Sequence, residues 1–539
     1  MDETNHCQGP NVLNKTWIHV FLIIGAICLV LALEAREEID VAGMLGFTMD
    51  DSWIHMSIAR NLVDGYGFSI NKGEPLAVST SPTWTLLEAA VFKIVPKPLV
   101  AGLLVSLICT IFAAWLLYLT AKKITDSPLV GLIAATLLIF NPISIWGLGS
   151  GMELPLVLLV VTLVFYCYFF SDADSATRKY ITPLALAFAA VSRPELFVLI
   201  PLAILDTSWQ LYCHEDRSKR KLIPVVFITQ CIVILIALAP YFIFNFTTLH
   251  HPFPTTFYAK ATLRGVGITG ALSSGHFEVY LASLFTHIHH QFILLFALLS
   301  KLNIFFFLLF PVGMLMFTRA INDKSKSLGL FFPVSFLLLP AIMAIVAPPN
   351  AFANTMSRYY TLFIPFFALS GALGWHILSK EMKLKRTAMV ILIVFIGYQV
   401  VYQLPQLIKK VAIDVKTNNI LYVDLGKWVA KNIESDAYIA TNDIGGVAYY
   451  AGQRRILDIM GLASPEIWPI LRKRKGTKDT SAMKEFMKKK HIDYLITSPK
   501  YYPTLVRDTD TFKEIARFAV DYRIGHSWSP QIVYKCNWH

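Results

Sequence analysis

Long uninterrupted apolar runs fill most of the first 404 residues of the chain. The first run extends from Trp17 to Leu33. The later runs are Leu99–Ala121, Leu129–Gly147, Leu154–Phe170, a short run on either side of Ser192–Glu195, Leu222–Phe246, Phe292–Phe317, Leu328–Val346, Tyr359–Leu378 and Thr387–Leu404. A helix needs about 20 apolar residues to cross the hydrocarbon of a bilayer, and most runs are near that length. The pattern predicts a polytopic α-helical membrane domain over residues 1–404, with about 11 membrane helices. The two short runs, of about ten residues each, predict a tight helical hairpin.

Two segments have the mixed polarity of soluble structure. Glu34–Pro98 is an acidic first loop with nine acidic and five basic residues. Residues 405–539 alternate amphipathic helical stretches with short strand-like stretches, which predicts a soluble α/β domain. The expected helices are Ile420–Asn432, Ser464–Lys473 and Ala482–Lys490, and the expected strands are Tyr438–Thr441, Arg455–Ile459, Tyr494–Thr497 and Ile532–Tyr534.

Composition and charge support a membrane protein with a defined orientation. The chain is 55% apolar and 16% charged, whereas soluble domains are about 45–50% apolar and about 25% charged. Fifteen basic residues in the short connections fall on one side of the predicted membrane domain and four on the other. The positive-inside rule then places the amino terminus in the cytoplasm, and the first loop and residues 405–539 outside it. We expect a multi-pass membrane protein. Because membrane topology explains most of the net charge of +12, no nucleic-acid partner is expected.

The chain termini and cysteines add little further chemistry. The first apolar run is expected to remain as a membrane anchor, because acidic Asp2 and Glu3 open the chain where a signal peptide would be basic. The seven cysteines include no CxxC pair. Neither a zinc ribbon nor a disulfide framework is expected.

The strongest candidate for chemistry is the pair Asp50-Asp51, shortly after the first run. The pair begins a predicted amphipathic helix suited to the membrane surface. Two adjacent carboxylates at a helix start repel each other unless a cation or the helix amides compensate. The pair therefore has two interpretations: a general base, with or without a divalent ion, or a capping aspartate beside a solvated neighbour.

Four further groups of ionisable residues are expected at the same outer face. Arg193 and Glu195 lie at the predicted hairpin tip, where ionisable side chains usually face a cavity or one another. The segment Pro254–Lys260 supplies hydroxyls and a cation, and Glu153 and Arg358 lie at the ends of two other runs. Each group alone also fits a structural role, as an ion pair, a rigid interfacial loop or an interface anchor. Together they suit a polyanionic lipid substrate and acid–base chemistry.

One motif of the soluble domain is interpreted mainly as structural. Asn442-Asp443-Ile444-Gly445-Gly446 is typical of a strand-to-helix turn, in which Asp443 caps the helix and the glycines allow close backbone approach. Contact with an acceptor is the second interpretation.

Several of these motifs, in this order, resemble those of polytopic GT-C glycosyltransferases. The first loop contains Asp50-Asp51-Ser52-Trp53-Ile54, Gly65-Tyr66-Gly67-Phe68 and Thr80-Ser81-Pro82-Thr83-Trp84. Later matches are Ser150-Gly151-Met152-Glu153, Ser192-Arg193-Pro194-Glu195, Pro254–Lys260, Ser357-Arg358-Tyr359, Asn442–Tyr450 and Asp458–Leu462. The most similar branch is that of the mycobacterial terminal β-(1→2) arabinofuranosyltransferase and its uncharacterised bacterial relatives. The loop departs from that branch at Ala77-Val78-Ser79 and at Ser52-Trp53, so the transferred sugar stays open.

The resemblance implies a transferase that moves a sugar from a polyprenyl-phosphate-linked donor to a glycan or glycolipid acceptor outside the membrane. It makes Asp50 the expected catalytic base and Asp51 its partner, and both become candidate ligands of a divalent cation such as Mg, Mn or Ca. The candidates for the donor phosphate are Arg193, Tyr258, Lys260 and Arg358, and those for sugar or acceptor contacts are His55, Arg60, Glu153 and Glu195. One base without an enzyme nucleophile implies inversion at the anomeric carbon.

Two other classes of protein fit parts of this pattern. A transporter or flippase for a lipid-linked or anionic substrate also has charges at membrane depth, although the sequence has no inverted repeat. A non-catalytic scaffold would use the soluble domain, with its 22 basic and 14 acidic residues, to bind wall glycan or acidic lipid. Turnover of a polyprenyl-phosphate sugar without a membrane gradient separates the enzyme from the transporter, and for the scaffold Asp50→Asn should leave binding and phenotype intact.

Overall fold

A computed structural model of the protein describes residues 11–263, 277–319, 330–346, 356–380, 385–452, 454–473, 480–521 and 529–538. Within these residues six helices are long and apolar enough to cross a membrane, or up to eight if each of two bent helix pairs is one span. Two shorter apolar helices, Leu154–Phe169 and Phe331–Ile345, accompany them. The helical membrane domain and the small C-terminal sheet domain confirm the predicted fold class.

Most of the helices follow the predicted apolar runs. In the first half of the chain the bounds are Asn11–Ala42, Asp50–Val63, Pro82–Ile94, Pro98–Thr125, Pro128–Ile139, Pro142–Leu148, Leu154–Phe169, Thr182–Ser192, Leu199–Cys213, Ile223–Leu249 and Thr255–Leu263. They continue with Phe277–Leu302, Ile304–Arg319, Phe331–Val346, Ile364–Lys380, Lys385–Gly397, Leu404–Asn418 and Leu425–Asn432. The last three are joined by π-helical turns into one helix of 47 residues, Arg386–Asn432. The predicted domain boundary after residue 404 therefore lies within a helix that leads from the membrane domain into the soluble domain.

Two runs that were predicted as single spans are bent pairs of helices. The run Leu129–Gly147 bends by 65° between Ile139 and Pro142, and Phe292–Phe317 bends by 119° between Leu302 and Ile304. An asparagine begins the new helix at each bend. Asn141 Oδ1 accepts the amide hydrogen of Ile143, and Asn303 Oδ1 accepts that of Phe306. Since a capping side chain satisfies the first amides of a new helix, it lets the helix start inside an apolar run.

The predicted hairpin around Arg193 has a longer second arm than expected. Its first arm is Thr182–Ser192, but the second extends over 20 residues, Pro194–Cys213. Pro194 ends the first helix and suits the first turn of the second. The apolar run stops at Asp206, yet the helix continues, because the Asp206 carboxylate accepts hydrogen bonds from Tyr168 and Gln210.

The helix Asp50–Val63, called the first-loop helix below, is buried rather than spread on the membrane surface. Ten of its 14 residues are buried. Trp53 packs against Phe47 on the membrane side and against Tyr449 and Tyr450 of the soluble domain. The expectation of a helix at the membrane surface was wrong, because the soluble domain covers the face of the helix that was expected to be exposed.

The soluble domain contains a mixed five-stranded sheet. Its strands are β1 (Tyr438–Thr441), β2 (Arg455–Asp458), β3 (Tyr494–Thr497), β4 (Phe512–Phe518) and β5 (Gln531–Cys536), in the order β2-β1-β3-β5-β4. β1 pairs parallel with β2 and β3, whereas β5 pairs antiparallel with β3 and β4. Four strands were predicted within about two residues at each end. β4 was missed, because an edge strand that is mostly exposed carries little apolar alternation.

The two faces of this sheet have different neighbours. On one face Ile439 and Ile456 pack with Ile54, Ile58 and Val78 of the first loop. The other face is covered by the short helices Trp468–Lys473 and Ser481–Lys489. The first loop is thus a layer between the membrane domain and the sheet, and the candidate site lies along this layer.

Candidate active site

A small cavity lies where the first loop, the membrane helices and the soluble domain meet. Its volume is about 50 Å³. The polar residues that line it are Asp51, His55, Ser79, Thr80, Glu153, Arg193, Thr256, Arg358 and Tyr359. We call it the central cavity. It combines five of the ten residues that the sequence proposed for the site, from segments far apart in the chain.

Arg193 is the centre of a buried ion network at one wall. Its guanidinium donates to both oxygens of Glu195, at 3.1 and 2.9 Å, and to Glu153 Oε1 at 2.5 Å. Its side chain is only 6% exposed. Burial opposes ionisation of Glu153, but the positive charge of Arg193, helped by His55 and Arg358, outweighs it and lowers the pKa of Glu153 to about 2. This network holds the wall in a fixed, ionised state.

His55 connects this wall to the first loop. Its Nε2 lies 3.8 Å from Glu153 Oε2, and its Nδ1 lies 2.8 Å from the Thr85 hydroxyl and 3.4 Å from that of Ser79. Glu153 Oε2 is buried and has no hydrogen-bond partner among the described residues. A polar atom of this kind at a cavity wall is a candidate acceptor for a ligand hydroxyl.

Asp51 and Arg358 form the opposite wall. Arg358 Nη2 donates to Asp51 Oδ2 at 2.7 Å, and Asp51, with 39% of its side chain exposed, lines the cavity. The Tyr359 ring lies 5.0 Å from the guanidinium of Arg193 and 5.3 Å from that of Arg358. The central cavity therefore has one accessible carboxylate beside a guanidinium, with a second guanidinium already neutralised.

Asp50 lies outside the central cavity and contacts the soluble domain. Its two carboxylate oxygens accept the amide hydrogens of Gly445 and Gly446, at 2.8 and 2.7 Å. A Cβ at Gly445 would overlap the Asp50 carbonyl oxygen, so this contact requires glycine. Burial, followed by the charge of Asp443, raises the pKa of Asp50 above its usual range. Adjacent in sequence, the two aspartates thus face different partners.

Asp443 is a second buried carboxylate in this interface, which the sequence interpreted mainly as a helix cap. Its Oδ2 accepts hydrogen bonds from Tyr422, Asn442 and Gln531, at 3.3, 2.8 and 2.8 Å. Burial, followed by the charge of Asp51, raises the pKa of Asp443. The contacts from Tyr422 and Gln531 come from 21 and 88 positions away, so the sequence offered no signal for them.

Replacing Asp443 with asparagine is expected to make thermal stability less dependent on pH. The unfolded chain ionises Asp443 near pH 4, whereas the folded protein holds the proton to higher pH, so the contribution of Asp443 to wild-type stability falls as the pH rises above 4. An asparagine at this position cannot ionise, yet its amide oxygen can accept the same three hydrogen bonds. Melting temperatures in detergent at pH 5 and pH 8 should differ by a few degrees less in Asp443→Asn. An unchanged difference would show that Asp443 does not cause the pH dependence.

Of three further residues proposed from the sequence, Arg60 and Tyr258 have contacts elsewhere. Arg60 donates to the carbonyls of Ala448 and Tyr449, at the end of helix Gly445–Tyr450, and so fastens the soluble domain. Tyr258 packs against His251 and Trp468. Lys260 belongs to helix Thr255–Leu263, but its side chain lies outside the described part of the structure. Arg60 and Tyr258 therefore have contacts outside the central cavity, and the role of Lys260 at the donor phosphate stays a prediction.

The residues expected to hold a divalent cation do not form a cation site in the described part of the chain. No group of three or more His, Cys, Asp or Glu side chains there is placed to hold a metal ion. Both oxygens of Asp50 are occupied by amide hydrogens, and Asp51 pairs with Arg358. A shared ligand pair of Asp50 and Asp51 does not fit this geometry.

Similarity to known proteins agrees with this architecture. Residues 79–244 match a family model described as dolichyl-phosphate-mannose-protein mannosyltransferase, and residues 412–534 match a domain of unknown function (DUF8728). A search of the curated proteins finds no match. Among solved structures, ArnT from Cupriavidus metallidurans bound to undecaprenyl phosphate has a TM-score of 0.56 at 10% identity, covering 95% of this chain and 98% of that one. Its apo structure has a TM-score of 0.54 at 11% identity, with 95% and 97% covered. The GT-C fold expected from the sequence is confirmed.

Proposed function

We propose that this protein is a glycosyltransferase of the bacterial inner membrane that moves a sugar from a polyprenyl-phosphate-linked donor to a hydroxyl of an external glycan or glycolipid. The observation that carries this proposal is the central cavity, in which the accessible carboxylate of Asp51 lies 2.7 Å from the guanidinium of Arg358. The mannosyltransferase match over residues 79–244 supports the reaction class. The fold shared with a protein that binds undecaprenyl phosphate supports the donor.

Asp51 is the better candidate for the catalytic base, and Asp50 for a positioning residue. A base must reach the acceptor hydroxyl, and Asp51 lines the cavity where that hydroxyl would lie. Asp50 already accepts two amide hydrogens from the soluble domain. Since the two residues share the first turn of the first-loop helix, the contact of Asp50 fixes the position from which Asp51 acts.

The proposed reaction is a single displacement at the anomeric carbon. The acceptor oxygen forms a bond to that carbon while its proton passes to the Asp51 carboxylate. The bond between the carbon and the phosphate oxygen breaks, and polyprenyl phosphate leaves with the electron pair. With one displacement and no enzyme nucleophile, the anomeric configuration inverts.

Arg358 is the candidate for the leaving phosphate. Arg193 is already paired with two carboxylates, whereas Arg358 forms an ion pair with one carboxylate among the described residues, that of Asp51, so it can also meet a phosphate. Stabilisation of the charge that develops on the leaving group is usually the largest contribution of such a residue. Lys260 follows Thr256 by four residues in one helix, and we keep it as a second candidate. At about 50 Å³ the cavity has room for a few water molecules, so most of a polyprenyl-phosphate sugar has to lie outside it.

Turnover by purified protein in detergent tests this function against the transporter and the scaffold. Neither alternative consumes a donor without a membrane gradient. We expect the wild type to release polyprenyl phosphate from a panel of polyprenyl-phosphate sugars when a glycan fraction of the bacterial envelope is added. The product should have the anomeric configuration opposite to that of the donor by NMR. Absence of turnover across the panel, or retention of configuration, would contradict the proposal.

A further inference from the structure

A second, larger cavity lies between the first loop and the soluble domain, on the outer side of Val78. It has a volume of about 250 Å³. Its polar side chains are Asn71, Glu74, Tyr438, Arg455, Ser464 and Glu466. Val78 lines both this cavity and the central cavity, and Ala463 of this cavity directly follows Leu462 of the central one. The two spaces are thus adjacent, separated by one layer of residues.

The walls between the two spaces are held by specific contacts. Thr255 donates its amide hydrogen to the Ala77 carbonyl at 2.8 Å and its hydroxyl hydrogen to the Leu462 carbonyl. The Thr256 hydroxyl donates to the Val78 carbonyl at 2.8 Å. The loop that carries Leu462 is folded around the buried Asp458 carboxylate, which accepts the amide hydrogens of Met460 and Ala463. Because these hydrogen bonds hold the loops in place, the residues that line the cavity can orient a ligand.

At one side of this second cavity, the Asn71 side chain forms two hydrogen bonds with the backbone of Ile456 in β2. Asn71 donates to the Ile456 carbonyl at 3.0 Å and accepts the Ile456 amide hydrogen at 2.9 Å. Asn71 therefore covers the free edge of β2, which would otherwise be open to another strand. A neighbouring cavity of about 180 Å³ also includes Asn71, Glu74 and Arg455, so the open space continues along the domain interface.

The charged groups of the cavity are exposed and interact with each other only weakly. Arg455 Nη2 pairs with Glu74 Oε1 at 2.7 Å, with 56% and 49% of the two side chains exposed. An exposed pair of this kind contributes little to stability, so either partner can turn to a ligand at little cost. Glu466 is exposed at the same cavity, and Arg455 also lies over the Tyr438 ring at 5.0 Å.

These groups match hydroxyl groups better than anions. A sugar hydroxyl can donate to a carboxylate and accept from a guanidinium at the same time, which suits Glu74, Glu466 and Arg455. Within this cavity the charged side chains are two carboxylates and one guanidinium, a balance that disfavours an acidic ligand there, whereas Arg60, Lys72 and Arg454 line the neighbouring cavity. Ligand sites with a few convergent polar groups are also common at domain interfaces.

We infer that this cavity binds neutral sugar units of the acceptor glycan next to the hydroxyl that reacts, and we call it the acceptor groove. The inference rests on the proposed transferase function, since that function gives the bound glycan its role as acceptor. The glycan enters along the domain interface, and its end unit reaches Asp51 when the wall at Val78, which Thr256 holds, opens. The soluble domain thereby takes part in choosing the acceptor.

Binding measured without turnover tests the acceptor groove separately from catalysis. The protein is placed in lipid nanodiscs and titrated with neutral trisaccharides of mannose, glucose, galactose and arabinose, with saturation-transfer NMR as the readout. We expect at least one trisaccharide to bind the wild type and Asp51→Asn equally, and to bind Arg455→Ala and Glu466→Ala at least tenfold more weakly. Arg517→Ala is the matched control, because Arg517 forms a similar exposed pair with Glu514 on β4.

Two results would overturn the inference: no trisaccharide binds the wild type, or binding is the same in wild type, Arg455→Ala and Glu466→Ala. Trisaccharide binding that is lost in Arg455→Ala and Glu466→Ala supports the acceptor groove, even if the protein consumes no donor. Binding of this kind without donor turnover would reject only the transferase function. Where turnover is measurable, Arg455→Ala should raise the acceptor KM at least tenfold with unchanged donor KM and kcat. Equal acceptor KM values would count against the groove.

Discussion

Asp51→Asn is expected to reduce sugar transfer by about 10²–10⁴-fold, the range for loss of a general base. The asparagine keeps the size of the side chain but cannot take a proton from the acceptor hydroxyl. It should leave the fold intact, because 39% of the Asp51 side chain is exposed and an amide oxygen can still accept a hydrogen bond from Arg358. The measurement is transfer from a radiolabelled polyprenyl-phosphate sugar to envelope acceptors, with the melting temperature recorded beside it.

Asp50→Asn is the matched comparison, because it makes the same chemical change one residue earlier. Asparagine presents an NH2 group where Asp50 accepts an amide hydrogen from Gly445 or Gly446, so one hydrogen bond of the domain contact is lost. We expect a lower melting temperature and a smaller loss of transfer than in Asp51→Asn. Loss of transfer in Asp50→Asn at an unchanged melting temperature, with an active Asp51→Asn, would instead make Asp50 the base.

Arg193→Ala is expected to lower the free energy of unfolding by about 3–5 kcal/mol, the usual cost of breaking a buried ion pair. The change leaves the carboxylates of Glu153 and Glu195 without their shared cation in a site that is almost fully buried. The pKa of Glu153 should rise from its low value, because the positive charge of Arg193 is the main cause that lowers it. Denaturation in mixed micelles gives the free energy, with a transfer assay beside it.

Arg517→Ala provides the control for this stability effect as well. Arg517 also pairs with a glutamate, Glu514, at 2.8 Å, but 53% of its side chain is exposed. Such a surface pair contributes about 0–1 kcal/mol, so its removal should be almost neutral. A similar small loss in Arg193→Ala would mean that water reaches the Arg193 network and replaces the lost contacts.

Local features of the sequence were sufficient for much of the fold. Apolar runs near 20 residues predict membrane helices because a bilayer offers the backbone no other partner. Four of the five strands followed from short β-branched and aromatic stretches between turn residues. The sequence did not predict the bends at Asn141 and Asn303. At each of them one asparagine side chain caps a new helix, and this permits a sharp bend within an apolar run.

For the candidate site, the sequence by itself determined which ionisable residues accompany the membrane helices, since charges beside apolar runs are costly and seldom incidental. Glu153, Arg193 and Arg358 were identified in this way. Asp51 was identified as part of an acidic pair at a helix start, and His55 from the resemblance; all five line the central cavity. Only the tertiary structure decided how the adjacent aspartates divide their roles. Successive residues of a helix point in directions about 100° apart, so Asp50 faces the amides of Gly445 and Gly446 while Asp51 faces the cavity. Those amides lie almost 400 residues further along the chain, and no local pattern records a partner at that distance.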